Sequence, residues 1–335
     1  MKAAIFDGQN LMVKKVEDPK INDSQVLIRV KSVGICGTDL AIANKSLPVP
    51  GPLILGHEFS GDVIEVGSEV DEKWLDKRVT SEINTNVDFN CYYCKQNNYT
   101  QCLSRKALGI DIDGALAEFI AVESYLLHEI PDSISYDNAT FIEPLAAAFQ
   151  VFELMPLDQN DKIMAIFGLG KLGLLITQVA LLKGLKLIVV DYSHEKISLA
   201  KHFGAQYELN LTEKLHIPNE IRNLTNNLGA DIVLDATGNP NALNDIIDSC
   251  RTRGKVHIKS THGVNASINL TDMVVRELTL YTSRCGPFPK AIEGLNSGKI
   301  KVDNLISKIF RLEDIKEAVD FYNKSQDHIK SIIHI

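Results

Sequence analysis

The chain is predicted to be an α/β protein of two domains, a β-rich first domain followed by a doubly wound parallel sheet. Three observations predict it. With 335 residues and 45% hydrophobic content, it is too long for one typical domain and can bury a sizeable core. Up to about residue 145, short alternating apolar runs are separated by Gly, Pro and Asn, an all-β texture. From about residue 146, short apolar runs alternate with longer helical patterns, which argues a parallel sheet with helices on both faces.

In order, residues 1–6, 26–33, 59–66 and 115–122 read as strands. Pro48, Pro50 and Pro52 stiffen the loop before His57, because proline fixes φ and disfavours helix ahead of it. Next come an apolar strand at 163–167, a mostly apolar helix at 172–182, and strands at 187–190, 232–234 and 256–258. Residues 278–282 read as the last strand of that sheet. The expected divisions are 1–145, 146–285 and 286–335, with no internal repeat or low-complexity linker.

Lys and Arg number 35 against 43 Asp and Glu, a net charge of -8. They are scattered, so neither a nucleic-acid partner nor an acidic membrane surface is expected. Only four apolar residues separate Lys2 from Asp7, too few for a secretory signal, and no long apolar run could span a membrane. The expected location is cytoplasmic. Of six cysteines, three bunch between 91 and 102, which reads as metal or reactive thiols rather than a disulfide framework.

The stretch Gly56-His57-Glu58-Phe59-Ser60-Gly61-Asp62-Val63-Ile64-Glu65-Val66-Gly67 places a histidine and a carboxylate at the mouth of an alternating strand. Alone, His57 would read as a structural histidine. Upstream, however, Gly34-Ile35-Cys36-Gly37-Thr38-Asp39 directly follows another alternating strand. A thiol, an imidazole and nearby carboxylates at strand ends are what an open zinc site needs.

Gly168-Leu169-Gly170-Lys171-Leu172-Gly173 lies between the strand at 163–167 and the helix from 172. In that order the glycines let the backbone approach a pyrophosphate held at the helix N-terminus. Asp191 ends the next strand and is placed to accept from ribose hydroxyls. It favours NAD, because its carboxylate would repel the 2′-phosphate of NADP and no arginine follows in Tyr192-Ser193-His194. Lys196 and His194 keep NADP possible.

The stretch GHEFSGDVIEVGSEV, with GICGTD upstream, resembles the zinc-containing medium-chain alcohol dehydrogenase family. The rest of the chain is consistent with it throughout. The resemblance implies a GroES-like, partly open β-barrel holding the catalytic zinc, then a Rossmann domain, with 286–335 returning to the first domain. It also implies a homodimer or homotetramer and a cleft between the domains that excludes water.

A third zinc ligand is needed, and the candidates are Glu143, in Phe141-Ile142-Glu143-Pro144-Leu145, and Glu58. The sorbitol-, threonine- and sugar-dehydrogenase-like branch carries this Glu-Pro-Leu. Neighbouring strand residues point to opposite faces, so Glu58 should diverge from His57 unless the backbone bends. Glu143 is therefore favoured, with Glu58 behind the metal and able to swing in; in polyol dehydrogenases the Glu58 equivalent can itself ligate.

By the same resemblance, Asp39 fixes the His57 imidazole through a hydrogen bond, and Thr38 is the hydroxyl that passes the substrate's proton outward. Lys196 lies near the adenosine, Thr237 of Asp235-Ala-Thr-Gly238 beside the nicotinamide ribose, and Arg284 and Cys285 near the substrate cleft. Two positions depart from the family. Gly37 replaces a phosphate-binding arginine of some members, and Ala41 a histidine that ends the proton relay in many.

Members with a structural zinc carry four cysteines separated by two, two and seven residues. Here Asp88, Cys91, Cys94 and Cys102 keep that spacing, with an aspartate first. A Cys₃Asp zinc is expected; the alternatives are a metal-free lobe or, more weakly, a redox CxxC. The function implied is zinc-dependent, NAD(P)-linked interconversion of a secondary alcohol, polyol or sugar with its carbonyl. The rivals are a zinc-free quinone or enoyl reductase of the same fold and a non-catalytic nucleotide-sensing protein.

Overall fold

The structure, a computed structural model, describes residues 1–335 except Pro50 and His262. Of the three loop prolines, Pro50 thus lies outside the described residues. The chain divides into two units, Met1–Glu143 with Phe288–Ile335, and Pro144–Pro287.

In the first unit β1 (Lys2–Phe6) pairs with β2 (Leu11–Lys15). The long strand β3 (Gln25–Gly34) then runs into helix α1 (Gly37–Ala43). After β4 (Leu53–Ile54) come β5 (Glu58–Val66) and β6 (Arg78–Ser81), then the hairpin β7 (Asn84–Thr85) and β8 (Lys106–Ala107) that brackets the cysteine loop. β9 (Phe119–Glu123) and β10 (Leu127–Glu129) follow. The run at 115–122 becomes a strand only from Phe119; before it, Ala117 makes a single bridge to Ala3. On β3, Val26, Ile28 and Val30 point into the core while Arg29 is exposed, the period of two expected of a strand covered on one face. Most important for the site is the register of β3 on β5, which sets Gly34 opposite Glu58. Residues just past one strand end and just before the other, Cys36 and His57, are thereby brought together.

Helix α2 (Tyr136–Ala139) starts where the Ser135 hydroxyl accepts from the Asn138 N–H, an N-cap. α3 (Ile142–Leu154) leads on to β11 (Ile163–Phe167), α4 (Lys171–Leu182), β12 (Lys186–Asp191), α5 (His194–Phe203), β13 (Tyr207–Asn210), β14 (Ala230–Asp235), β15 (Cys250–Ile258) and β16 (Thr279–Thr282). All six strands are parallel, in the order β13-β12-β11-β14-β15-β16. Ile188, Val190, Val233 and Val256 are fully buried, as strands covered on both faces require. β15 begins six residues earlier than the expected 256, because Gly254 and its neighbours extend the pairing past a register shift at Ala230/Ile232.

The tail adds β17 (Ile306–Arg311) and β18 (Lys330–His334) to the first unit. β18 runs antiparallel to β3, with Ile332 opposite Gly34, and completes a sheet ordered β10-β6-β5-β3-β18-β17, with β9 also on β3. Lys330 is thus carried to the site end of β3.

Candidate metal centres and dinucleotide site

The ligand atoms of Cys36, His57 and Glu58 lie within 4.8 Å of one another. His57 is 4% and Glu58 1% exposed. Their convergence corrects the expectation that Glu58 diverges from His57. β5 begins at Glu58, so His57 is outside the strand, and Gly56 before it has φ +93°, a turn that frees the pair from strand alternation. Glu143, favoured as the resting ligand, is not part of this group; it is half-buried in the first turn of α3, and its charge acts on His57.

Asp39 also departs from its expected contact. Its carboxylate is 3.7 Å from His57 Nδ1, an ion-pair distance rather than a hydrogen bond. Its oxygens instead accept from the backbone N–H of Cys36 (2.8 Å) and of Gly56 (3.1 Å). Asp39 therefore ties together the two loops that carry the thiol and the imidazole. The first of these bonds is also the return half of a capping box at the start of α1. Burial raises the pKa of Asp39. Burial also opposes charge on His57, but Cys36, Asp39 and Glu143 together outweigh it and lift the imidazole to about 10. Thr38 Oγ1 lies 3.8 Å from Cys36 Sγ on a half-buried helix turn.

The residue that sequence reasoning missed is Lys330. Its ammonium is fully buried, donates to the Glu58 carboxylate and also donates to the Thr140 carbonyl at 3.2 Å. It sits 4.7 Å from the Phe141 ring centre. A Cβ at Gly34 would run into this ammonium. The available signals were a lysine opening an apolar final strand and a glycine closing β3, neither of which names its partner.

The second group, Asp88, Cys91, Cys94 and Cys102, also has its ligand atoms within 4.8 Å of one another. Cys94 and Cys102 are buried and Asp88 is exposed. Asp88 Oδ1 accepts from Cys91 N and Asn90 N, both at 2.8 Å, and Oδ2 from the Ser104 hydroxyl at 3.0 Å. These bonds, led by that from Cys91 N, hold its pKa well below the usual carboxylate range. The backbone N–H groups of Leu103 and Cys94 lower the Cys91 thiol, while burial pushes Cys94 up to about 12. Both groups fit zinc: the first offers a thiol, an imidazole and a carboxylate, and the second three thiols and a carboxylate, all donors that zinc takes.

In the second unit Gly168 has φ +87°, and a Cβ there would meet the Ala236 carbonyl oxygen at 2.7 Å. A Cβ at Gly173 would strike the Gly168 carbonyl, whereas at Gly170 it would meet nothing within 4 Å. The outer glycines are thus needed by the fold. The middle one keeps open a space at the N-terminus of α4, where a pyrophosphate fits. Leu169, Lys171 and Leu172 fill the intervening positions. Asp191, half-buried, already accepts from Leu169 N (2.6 Å) and Ser193 N (2.9 Å), so it braces the glycine loop and still has lone pairs for a ribose. Lys196 donates its N–H to the Ser193 hydroxyl in the first turn of α5. Thr237 binds Asp235 through its N–H (2.9 Å) and hydroxyl (2.7 Å).

Comparison with known proteins follows the same division. The alcohol dehydrogenase GroES-like domain matches residues 22–132, and the zinc-binding dehydrogenase domain residues 172–297. The chain is 32% identical to D-arabitol-phosphate dehydrogenase of Enterococcus avium over 310 residues, 90% of this chain and 88% of that one. It is 32% identical to sorbitol dehydrogenase of Bacillus subtilis over 330 residues, 96% of this chain and 93% of that one. Galactitol-1-phosphate dehydrogenase from Escherichia coli has a similar structure, with a TM-score of 0.91 at 26% identity and all of both chains covered.

Proposed function

Because this chain belongs to the zinc-containing medium-chain alcohol dehydrogenase family, with its GroES-like and Rossmann domains, we propose that it interconverts a polyol or polyol phosphate with its ketose, using NAD. Nicotinamide-linked oxidoreduction of an alcohol is the family's activity. The polyol class is supported by the relatives that act on sorbitol, arabitol phosphate and galactitol phosphate.

The observation that carries this is the convergence of Cys36, His57 and Glu58 in a buried cluster. These three would hold the catalytic zinc, and Glu143, whose charge acts on His57, is the carboxylate that would replace Glu58. When bound, zinc acidifies the substrate hydroxyl and the nicotinamide takes the hydride. Thr38 receives the hydroxyl proton at Oγ1. With Ala41 in place of a relay histidine, Thr38 hands the proton to water or a ribose hydroxyl. Asp39 keeps the Cys36 and His57 loops in register. Lys330 restrains the Glu58 carboxylate and offsets its charge. On the other domain, Gly170 would admit the pyrophosphate while Gly168 and Gly173 shape its loop, Asp191 would accept from the ribose, Lys196 would serve the adenosine and Thr237 the nicotinamide ribose.

A second zinc on Asp88, Cys91, Cys94 and Cys102 is structural. Among the described residues no helix is long and apolar enough to cross a membrane, and thiol ligands suit a reducing cytoplasm. The chain forms a homo-oligomer. This is supported by β16, whose outer edge is unpaired among the described residues, by Leu280 exposed on that strand, and by the exposed Leu270, Val274 and Val275 of the helix that precedes it in the chain. Light scattering of the purified chain tests it, and a monomer would contradict it.

Metal analysis combined with NAD reduction on a panel of alcohols, free polyols and polyol phosphates tests the whole proposal. Zinc with turnover on the polyol group is expected. NAD reduction without zinc, or no turnover on any alcohol, would overturn it.

A further inference from the structure

The C-terminal end of the parallel sheet holds a buried cation that the glycine fingerprint does not use. Lys259 is 7% exposed and directly follows β15. Its ammonium donates to the carbonyl oxygens of Ser283 (3.1 Å) and Arg284 (2.8 Å) and to the Ser283 hydroxyl (3.0 Å). Ser283 and Arg284 directly follow β16, so this side chain ties together the ends of two adjacent strands. Its own N–H and that of Ser260 donate to the Asp235 carbonyl at 2.9 and 3.2 Å, which joins β14 to the same knot. The fully buried His257 places Nε2 3.0 Å from the Ser283 hydroxyl. Burial, and then the Lys259 charge, push that imidazole down to about 4, so His257 adds no charge of its own at neutral pH.

In a doubly wound sheet the dinucleotide lies across the C-terminal strand ends, its adenosine half over β11–β13 and its nicotinamide half over β14–β16. The nicotinamide half changes charge on reaction: the ring is a cation when oxidised and neutral when reduced. A fixed charge beside it therefore binds the two forms unequally. We infer that Lys259 sets the cofactor's oxidation-state preference, its clamped cation disfavouring the oxidised ring and so favouring the reduced one.

The clamp matters because an ammonium already held by three acceptors need not reorganise when the cofactor arrives. Asp235 carries the opposite charge nearby, held by Thr237 and the Ser260 hydroxyl. It is unchanged in every Lys259 variant, so its contribution cancels in their comparison.

This rests on the dinucleotide site proposed above, and the test separates the two. Dissociation constants for NAD⁺ and NADH are measured by titration calorimetry on the zinc-loaded wild type, Lys259→Met, Lys259→Gln and Ser283→Ala. Both Lys259 variants are expected to lower the ratio Kd(NAD⁺)/Kd(NADH) about tenfold. Ser283→Ala loosens the clamp but keeps the cation, so its ratio stays within about twofold of wild type. If Lys259→Met does not fold, Lys259→Gln decides alone. A ratio unchanged in the folded Lys259 variant overturns the inference, as does a Ser283→Ala shift of equal size. A wild type that binds neither dinucleotide overturns the site itself and this inference with it.

Discussion

The Cys36–His57–Glu58 cluster draws on two strand ends and is backed by Lys330, 272 residues from Glu58, whereas Asp88, Cys91, Cys94 and Cys102 all come from one loop between β7 and β8. The loop cluster is held by its own short-range hydrogen bonds, Asp88 accepting from Asn90, Cys91 and Ser104. The barrel cluster exists only once β3, β5 and β18 are in register. A site built locally can close around an ion with four donors. A site built from distant strands is rigid where the fold is rigid and can leave one side open for a substrate. The comparison teaches that similar donor sets can be assembled in two ways, from one short loop or from strands far apart in the chain.

The sharpest way to break the comparison is to remove a barrel ligand. Cys36→Ala or His57→Ala is expected to lower kcat by at least about 1,000-fold, the loss of several kcal/mol of transition-state stabilisation. NADH affinity, measured by fluorescence titration, should change little, because the glycine loop lies in the other unit. Turnover retained within about tenfold, only about 1.4 kcal/mol of barrier, would place the chemistry elsewhere. Thr38→Ser should keep activity where Thr38→Ala loses most of it.

Lys330→Met sharpens the contrast further, since among the described residues no buried ammonium backs the carboxylate of the loop cluster. It leaves Glu58 buried without its cation, and breaking a pair this deeply buried costs about 3 kcal/mol. Zinc on Glu58 would offset part of that loss. The drop in urea midpoint should therefore be larger after chelation than with zinc bound; equal drops would mean that Glu58 does not face the metal.

A region outside both clusters gives a smaller effect. The Asp191 carboxylate should favour NAD over NADP by on the order of 2 kcal/mol, or about 30-fold in kcat/KM. Asp191→Gly should narrow that gap without altering zinc content. NADP equal to NAD in the wild type would mean that Asp191 only braces Leu169 and Ser193.

What the sequence made legible follows the same line between local and distant. The convergence of Asp88, Cys91, Cys94 and Cys102 was readable through the family spacing they keep, because neighbours in the chain stay neighbours in the fold. So was the glycine motif, where strand, turn and helix follow in order. Cys36 and His57 were readable as a pair, but not which carboxylate joins them. That depended on where β5 begins and on the turn at Gly56, and strand alternation applied one residue too early pointed Glu58 away. Lys330 was invisible because its partner lies across a register that only the folded sheet defines. Asp39 was assigned to the imidazole, but two backbone N–H groups hold its oxygens more closely.

Zinc per chain, measured by atomic emission alongside turnover, tests the division of labour most directly. Three samples suffice: wild type, Cys36→Ala and Asp88→Ala. The expected values are two zinc ions in the wild type and one in each variant. Activity should vanish in Cys36→Ala and stay within about threefold of wild type in Asp88→Ala, whose thermal midpoint alone falls markedly. One zinc in the wild type that survives Cys36→Ala with turnover intact would contradict the account.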